Sequence, residues 1–81
     1  MPKVFSWHGY RFHFFSNEGN PLEPCHIHVQ KDSNRANFWI EPYISLENNY
    51  GFSSKELNKF HSIIEEKREI IKNKWHEYFN N

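Results

Sequence analysis

Two hydrophobic periods divide this chain. Up to about residue 46 the apolar positions alternate with polar ones or run in short blocks, and from residue 54 onward they recur every three or four residues. Alternation is the mark of strands, whose side chains leave on opposite faces in turn; the longer period is that of a helix with one apolar stripe. Residues 4–7 and 10–16 read as two strands joined at His8-Gly9, where a tight two-residue hairpin needs positive φ and Gly provides it. Residues 17–24, with Gly19, Pro21 and Pro24, read as an irregular loop and a candidate flap. A third strand carries His26 and His28. Asp32-Ser33-Asn34-Arg35 forms a hairpin loop, residues 36–41 a fourth strand and residues 44–46 a short fifth.

Ser53 with Glu56 three residues later makes a capping box, and Phe52 and Leu57 occupy the positions of a hydrophobic staple. At about 100° per residue, Leu57, Phe60, Ile64, Ile71, Trp75 and Tyr78 share one arc with Ile63 and Ile70 on its flank, and no Gly or Pro interrupts them. The pattern predicts one helix from about residue 54 to 79, roughly 39 Å long at 1.5 Å per residue. A globule of 81 residues is only about 30 Å across. The helix must therefore overhang, bend near residues 65–69, or pack on a second subunit.

The expected fold is α+β: a small antiparallel β-sheet of four to five strands within residues 1–52, with one long C-terminal α-helix over about 54–79 packed on one face, in a single domain spanning 1–81. If Phe12, Phe14, Ile27, Val29, Phe38 and Ile40 meet the helix, then Arg11, His13, Phe15, His26, His28, Gln30, Trp39 and Glu41 line the other face. A β-bulge would invert part of that division.

Composition narrows the function classes. Aromatic rings make up 19% of the chain and crowd into its first half, so few residues suffice to build a core. Lys and Arg balance Asp and Glu at a formal net charge of zero, so no whole-molecule field draws the chain to nucleic acid or an anionic membrane. Any such contact must be local. Cys25 is the single cysteine, which excludes an internal disulfide and a cysteine-based zinc motif and fits a reducing compartment. The first residues lack a signal peptide's apolar run and no stretch reaches transmembrane length, so the expectation is a cytoplasmic protein with no membrane partner.

Candidate chemistry centres on His26-Ile27-His28, because two imidazoles two residues apart on a strand share a face. For cleavage of RNA, the catalytic candidates are His26, His28 and Arg11: one imidazole takes the 2′-hydroxyl proton, another protonates the leaving oxygen, and the guanidinium holds the charge developing on phosphate. On the same face His13, Phe15, Gln30 and Trp39 are candidates for binding substrate or partner, with Phe15 and Trp39 able to stack unpaired bases. In the alternative metal-binding reading, His26 and His28 are ligands to a divalent ion such as zinc, with His13 or Glu41 as third ligand; otherwise no cofactor is expected. A further alternative is a non-catalytic protein-interaction domain. Cys25 points away from His26, so a buried thiol is expected there rather than a nucleophile. Trp75, Tyr78 and Phe79 anchor the far end of a helix too long for its own sheet, which marks them as interface residues of a homodimer or of a complex with a small protein partner.

These residues together resemble a family of small bacterial proteins known as domain-of-unknown-function family 4160. The likeness rests on Gly9-Tyr10-Arg11-Phe12, Ser16-Asn17-Glu18-Gly19, Pro24 with His26-Ile27-His28-Val29, Ala36 to Pro42, Tyr50-Gly51-Phe52-Ser53 and Trp75-His76-Glu77-Tyr78-Phe79. Cys25 stands where the family often has a second proline. The resemblance brings no reaction with it. It does imply a genetic setting, since such proteins are often encoded beside another small protein in an arrangement similar to a toxin and antitoxin pair.

Overall fold

The structure, a computed structural model, describes residues 3–15 and 24–79. Five strands, β1 (Lys3–Trp7), β2 (Tyr10–His13), β3 (His26–Lys31), β4 (Asn34–Trp39) and β5 (Ser45–Tyr50), form one antiparallel sheet in the order β1-β2-β3-β4-β5. Two helical segments follow, α1 (Ser54–Glu66) and α2 (Arg68–Phe79), packed against the sheet in the expected α+β arrangement. The expected loop at 17–24 lies outside the described residues except for Pro24.

Local chemistry accounts for the turns. His8 and Gly9 both adopt positive φ, 48° and 84°, as a two-residue hairpin whose twist matches its strands requires. The second hairpin tightens to Asp32-Ser33 because Lys31 and Asn34 already pair across it, and Asp32 takes the left-handed conformation at φ 55°. Between β5 and α1 the Asn49 amide clamps the connector, its Nδ2 donating to the Phe52 carbonyl at 3.0 Å and its Oδ1 accepting from the Phe52 N–H at 3.2 Å. Gly51, in that connector, has φ 101°, and a side chain there would strike the Asn34 amide. The capping box is complete: Ser53 Oγ accepts from the Glu56 N–H at 3.1 Å, and Glu56 Oε1 accepts from the Ser53 N–H at 2.9 Å.

The core forms between one sheet face and the helices. Phe12, Phe14, Ile27, Val29, Phe38 and Ile40, the six residues the alternation assigns to the helix side, are all buried and meet Phe60, Ile63, Ile64, Ile71 and Trp75. Cys25 is buried with them. Edge-on contacts tie the layers, with Phe60 lying 5.9 Å from Phe12 and 4.9 Å from both Tyr10 and Phe52, centroid to centroid.

The single long helix expected from the period is instead interrupted at Lys67, whose φ −103° and ψ 16° leave the helical region. The interruption falls where the apolar stripe passes through Lys67 and Arg68. Both cations stretch outward from that inner position: Lys67 Nζ lies 5.4 Å from the Phe5 ring, and Arg68 Nε donates to the Ile40 carbonyl at 3.4 Å. Of the three ways to accommodate the helix, the chain takes a break inside residues 65–69.

The fifth strand is longer than expected, reaching Tyr50 rather than Leu46. Its register shifts between Asn37, which faces Asn48, and Phe38, which faces Leu46, so Glu47 is an extra residue in the ladder. The bulge puts Leu46 on the Phe38 side and Asn48 and Tyr50 on the opposite face. A second irregularity, at Val4, keeps Phe5 opposite Phe12 with their rings stacked at 4.4 Å.

Candidate functional site

The sheet face away from the core is organised in cross-strand rows. His13, His28, Asn37 and Asn48 are aligned across β2, β3, β4 and β5; Arg11, Gln30, Arg35 and Tyr50 form the next row toward the hairpin tips. On the other side of the histidine row His26 pairs with Trp39. Direct cross-strand pairing brings side chains into contact range, which is why His13 and His28 meet, their ring centroids 5.7 Å apart. Phe15 lies against both, 4.2 Å from His28 and 5.1 Å from His13.

A concavity of about 230 Å³ opens at this point, lined on its polar side by His13, His28, Gln30, Arg35, Asn37 and Tyr50, and also by Phe15. Four of the residues expected from the sequence, His13, Phe15, His28 and Gln30, are thus brought together. Arg35, Asn37 and Tyr50 were not among them. Arg35 and Asn37 share the parity of Trp39 on one strand and were readable from it. Tyr50 was not, since the bulge at Glu47 resets its face.

The other expected residues lie elsewhere. His26 is only 3% exposed, enclosed by Trp39 at 5.0 Å, His28 at 5.3 Å and Trp75 of α2 at 5.3 Å. The face is therefore partly open at His28 but closed over His26, where the β2–β3 ladder stops at His13–His28 and Trp75 packs, and His13 itself is only 4% exposed. The His26 Nδ1 sits 2.8 Å from the Pro24 carbonyl; a carbonyl only accepts, so Nδ1 carries a proton. Arg11 is exposed and outside the concavity, one strand out from Gln30. Glu41, the alternative third metal ligand, turns to the helix side instead, where Lys72 Nζ lies 3.6 Å from its carboxylate. Among the described residues no group of three or more His, Cys, Asp or Glu is placed to hold a metal ion.

The expected interface residues also separate. Trp75 is 2% exposed within the chain itself, packed edge-on against Phe14 at 5.0 Å and against Phe79 at 4.3 Å. Phe79 is half-buried, and Tyr78 stays exposed. Among the described residues no helix is long and apolar enough to cross a membrane.

No curated protein and no solved structure matches the chain. The family described as Domain of unknown function (DUF4160) matches residues 9–76, a span that runs from Gly9 of the first turn through β2 to β5 and the helices as far as His76, and the chain belongs to that family.

Proposed function

We propose that the chain is the RNA-acting member of a two-gene module similar to a toxin and antitoxin pair, with an RNase-like site in the concavity around His28. The observation that carries this reading is the cross-strand pairing of the partly exposed His28 with His13, which is 4% exposed and lies behind it in the concavity that Arg35 also lines. In the reaction one imidazole accepts the 2′-hydroxyl proton as the 2′-oxygen attacks phosphorus. The other protonates the departing 5′-oxygen as its bond to phosphorus breaks, leaving a 2′,3′-cyclic phosphate and a 5′-hydroxyl. Arg35 holds the charge building on the phosphate oxygens, and Phe15 and Tyr50 offer faces on which an unpaired base can stack. Arg11, in the row of Gln30 and Arg35 but one strand out, suits a neighbouring phosphate. His26 supports the site by holding His28 between itself and Phe15.

The test is cleavage of single-stranded RNA by the purified chain and by His28→Ala, with circular dichroism confirming that the variant folds. Loss of general acid or base catalysis is expected to slow the reaction about 10²- to 10⁴-fold. RNA that stays intact with the wild type, or that is cut equally by His28→Ala, rules the assignment out.

A second reading, a non-catalytic interaction domain that self-associates or binds a small protein partner, draws on a separate observation. Edge strand β5 and the turn before it leave Tyr43, Leu46 and Tyr50 exposed at 69%, 44% and 58%. Exposed rings beside an open sheet edge suit strand addition by a partner.

A further inference from the structure

An open cavity of about 800 Å³ lies on the other side of the molecule from the histidine row, between the β1–β2 hairpin, the end of β3 and the first turns of α1. That volume falls within the roughly 300–1,000 Å³ of small-molecule sites. Its walls combine aromatic rings, among them Trp7, Tyr10 and Phe60, with three ammonium groups, Lys31, Lys55 and Lys59. The helix supplies two of the lysines because Lys55 and Lys59 are four residues apart and share a face. Lys31 arrives beside Gly9 of the hairpin, its Nζ 4.6 Å from the Tyr10 ring centre, and Lys59 Nζ lies 5.5 Å from the Trp7 ring centre.

The charge in this cavity is poorly balanced. Its one carboxylate, Glu56, hydrogen-bonded by the Ser53 N–H at 2.9 Å and the Tyr10 hydroxyl at 2.6 Å and drawn electrostatically to Lys31, offsets one of the three ammonium charges. Among the described residues the close ion pairs are those of Lys72 with Glu41 and Glu69, and none of them involves Lys31, Lys55 or Lys59. Three like charges around one space repel, and a bound anion relieves that repulsion. Phosphate would answer the lysines, and the stacked Trp7 and Tyr10 rings, 5.7 Å apart and 20° from parallel, would answer a flat ring.

We infer that this cavity is a binding site for a nucleoside phosphate, its base against the Trp7–Tyr10 wall and its phosphate among Lys31, Lys55 and Lys59. The site shares no lining residue with the concavity around His28, and the inference does not rest on the RNA-cleavage reading.

Calorimetric titration of the full chain with adenosine 5′-monophosphate, adenosine and inorganic phosphate, paralleled by tryptophan fluorescence, tests it, together with the same titrations on a Lys55→Ala, Lys59→Ala variant and on Trp7→Phe. Lys55 and Lys59 are exposed on α1, so their truncation leaves the core intact. The monophosphate is expected to bind more tightly than either fragment, to lose about tenfold or more in affinity in the double-lysine variant, and to quench a tryptophan signal that Trp7→Phe removes. Phosphate binding as tightly as the monophosphate would reduce the cavity to a plain anion site and overturn the assignment. So would monophosphate binding that the double-lysine variant leaves unchanged, or no binding at all by the folded wild type. RNA cleavage measured on the double-lysine variant separates the two sites: it stays at the wild-type rate if the His28 concavity acts independently.

Discussion

Glu56 serves three parts of the molecule with one carboxylate. It caps α1 through the Ser53 N–H, accepts the Tyr10 hydroxyl from β2, and forms a wall of the lysine-lined cavity. The Ser53 N–H, followed by the Tyr10 hydroxyl, holds its carboxyl below the ordinary 4.5, while the same bond, with some desolvation, lifts Tyr10 above its ordinary 10.0. The signs follow from linkage: the Glu56 contribution to stability is present above the unfolded carboxylate value and is lost as pH falls through the lower folded one. The Tyr10 contribution is present below the unfolded phenol value and is lost as pH rises through the higher folded one. Tyr10→Phe is expected to move the Glu56 titration, followed by carboxyl NMR, up toward the ordinary value; an unmoved midpoint would show that the hydroxyl does not act on Glu56. In the core, Ile27 is fully buried, and Ile27→Ala is expected to destabilise the fold by about 2–5 kcal/mol in a urea melt.

Among the elements, those with strong local signals were readable. The capping box at Ser53 and Glu56, the hairpin at His8-Gly9 and the burial of Ile27 and Val29 each follow from one residue's geometry and need no distant partner. Ser53→Ala is expected to cost about 0.5–2 kcal/mol, read in the same melt, as the loss of an N-cap. Gly51→Ala should be costlier than an exposed-loop change, since it sets both a positive φ and an approach to Asn34 against the new side chain. What could not be read depended on contacts remote in sequence. Ser45–Tyr50 is polar throughout except for Leu46 and Tyr50, and it becomes a strand because β4 offers it a free edge. The break at Lys67 lacks a Gly or Pro to announce it and coincides with cations reaching Phe5 and Ile40, partners visible only once the sheet is in place. The same limit applied to the site. Parity united His13, Phe15, His28 and Gln30, but the covering of His26 by Trp75 requires knowing where α2 ends up.

For the whole molecule, the histidine concavity and the lysine-lined cavity share no residue, and the open β5 edge, with Leu46 on one face and Tyr50 on the other, adjoins the concavity through Tyr50. If that edge joins two copies, light scattering on the wild type is expected to give twice the chain mass and Leu46→Lys the single mass. A wild type of single mass would leave β5 to a different partner. The most direct test of RNA cleavage at the His13–His28 pair is an oligonucleotide with one ribose among deoxyribose units. A single cut is expected, 3′ to that ribose, yielding a 2′,3′-cyclic phosphate detected by phosphorus NMR or mass spectrometry, with no cut when that sugar is 2′-O-methylated. Cleavage at the deoxyribose positions, or persistence of the cut in the methylated strand, would contradict it.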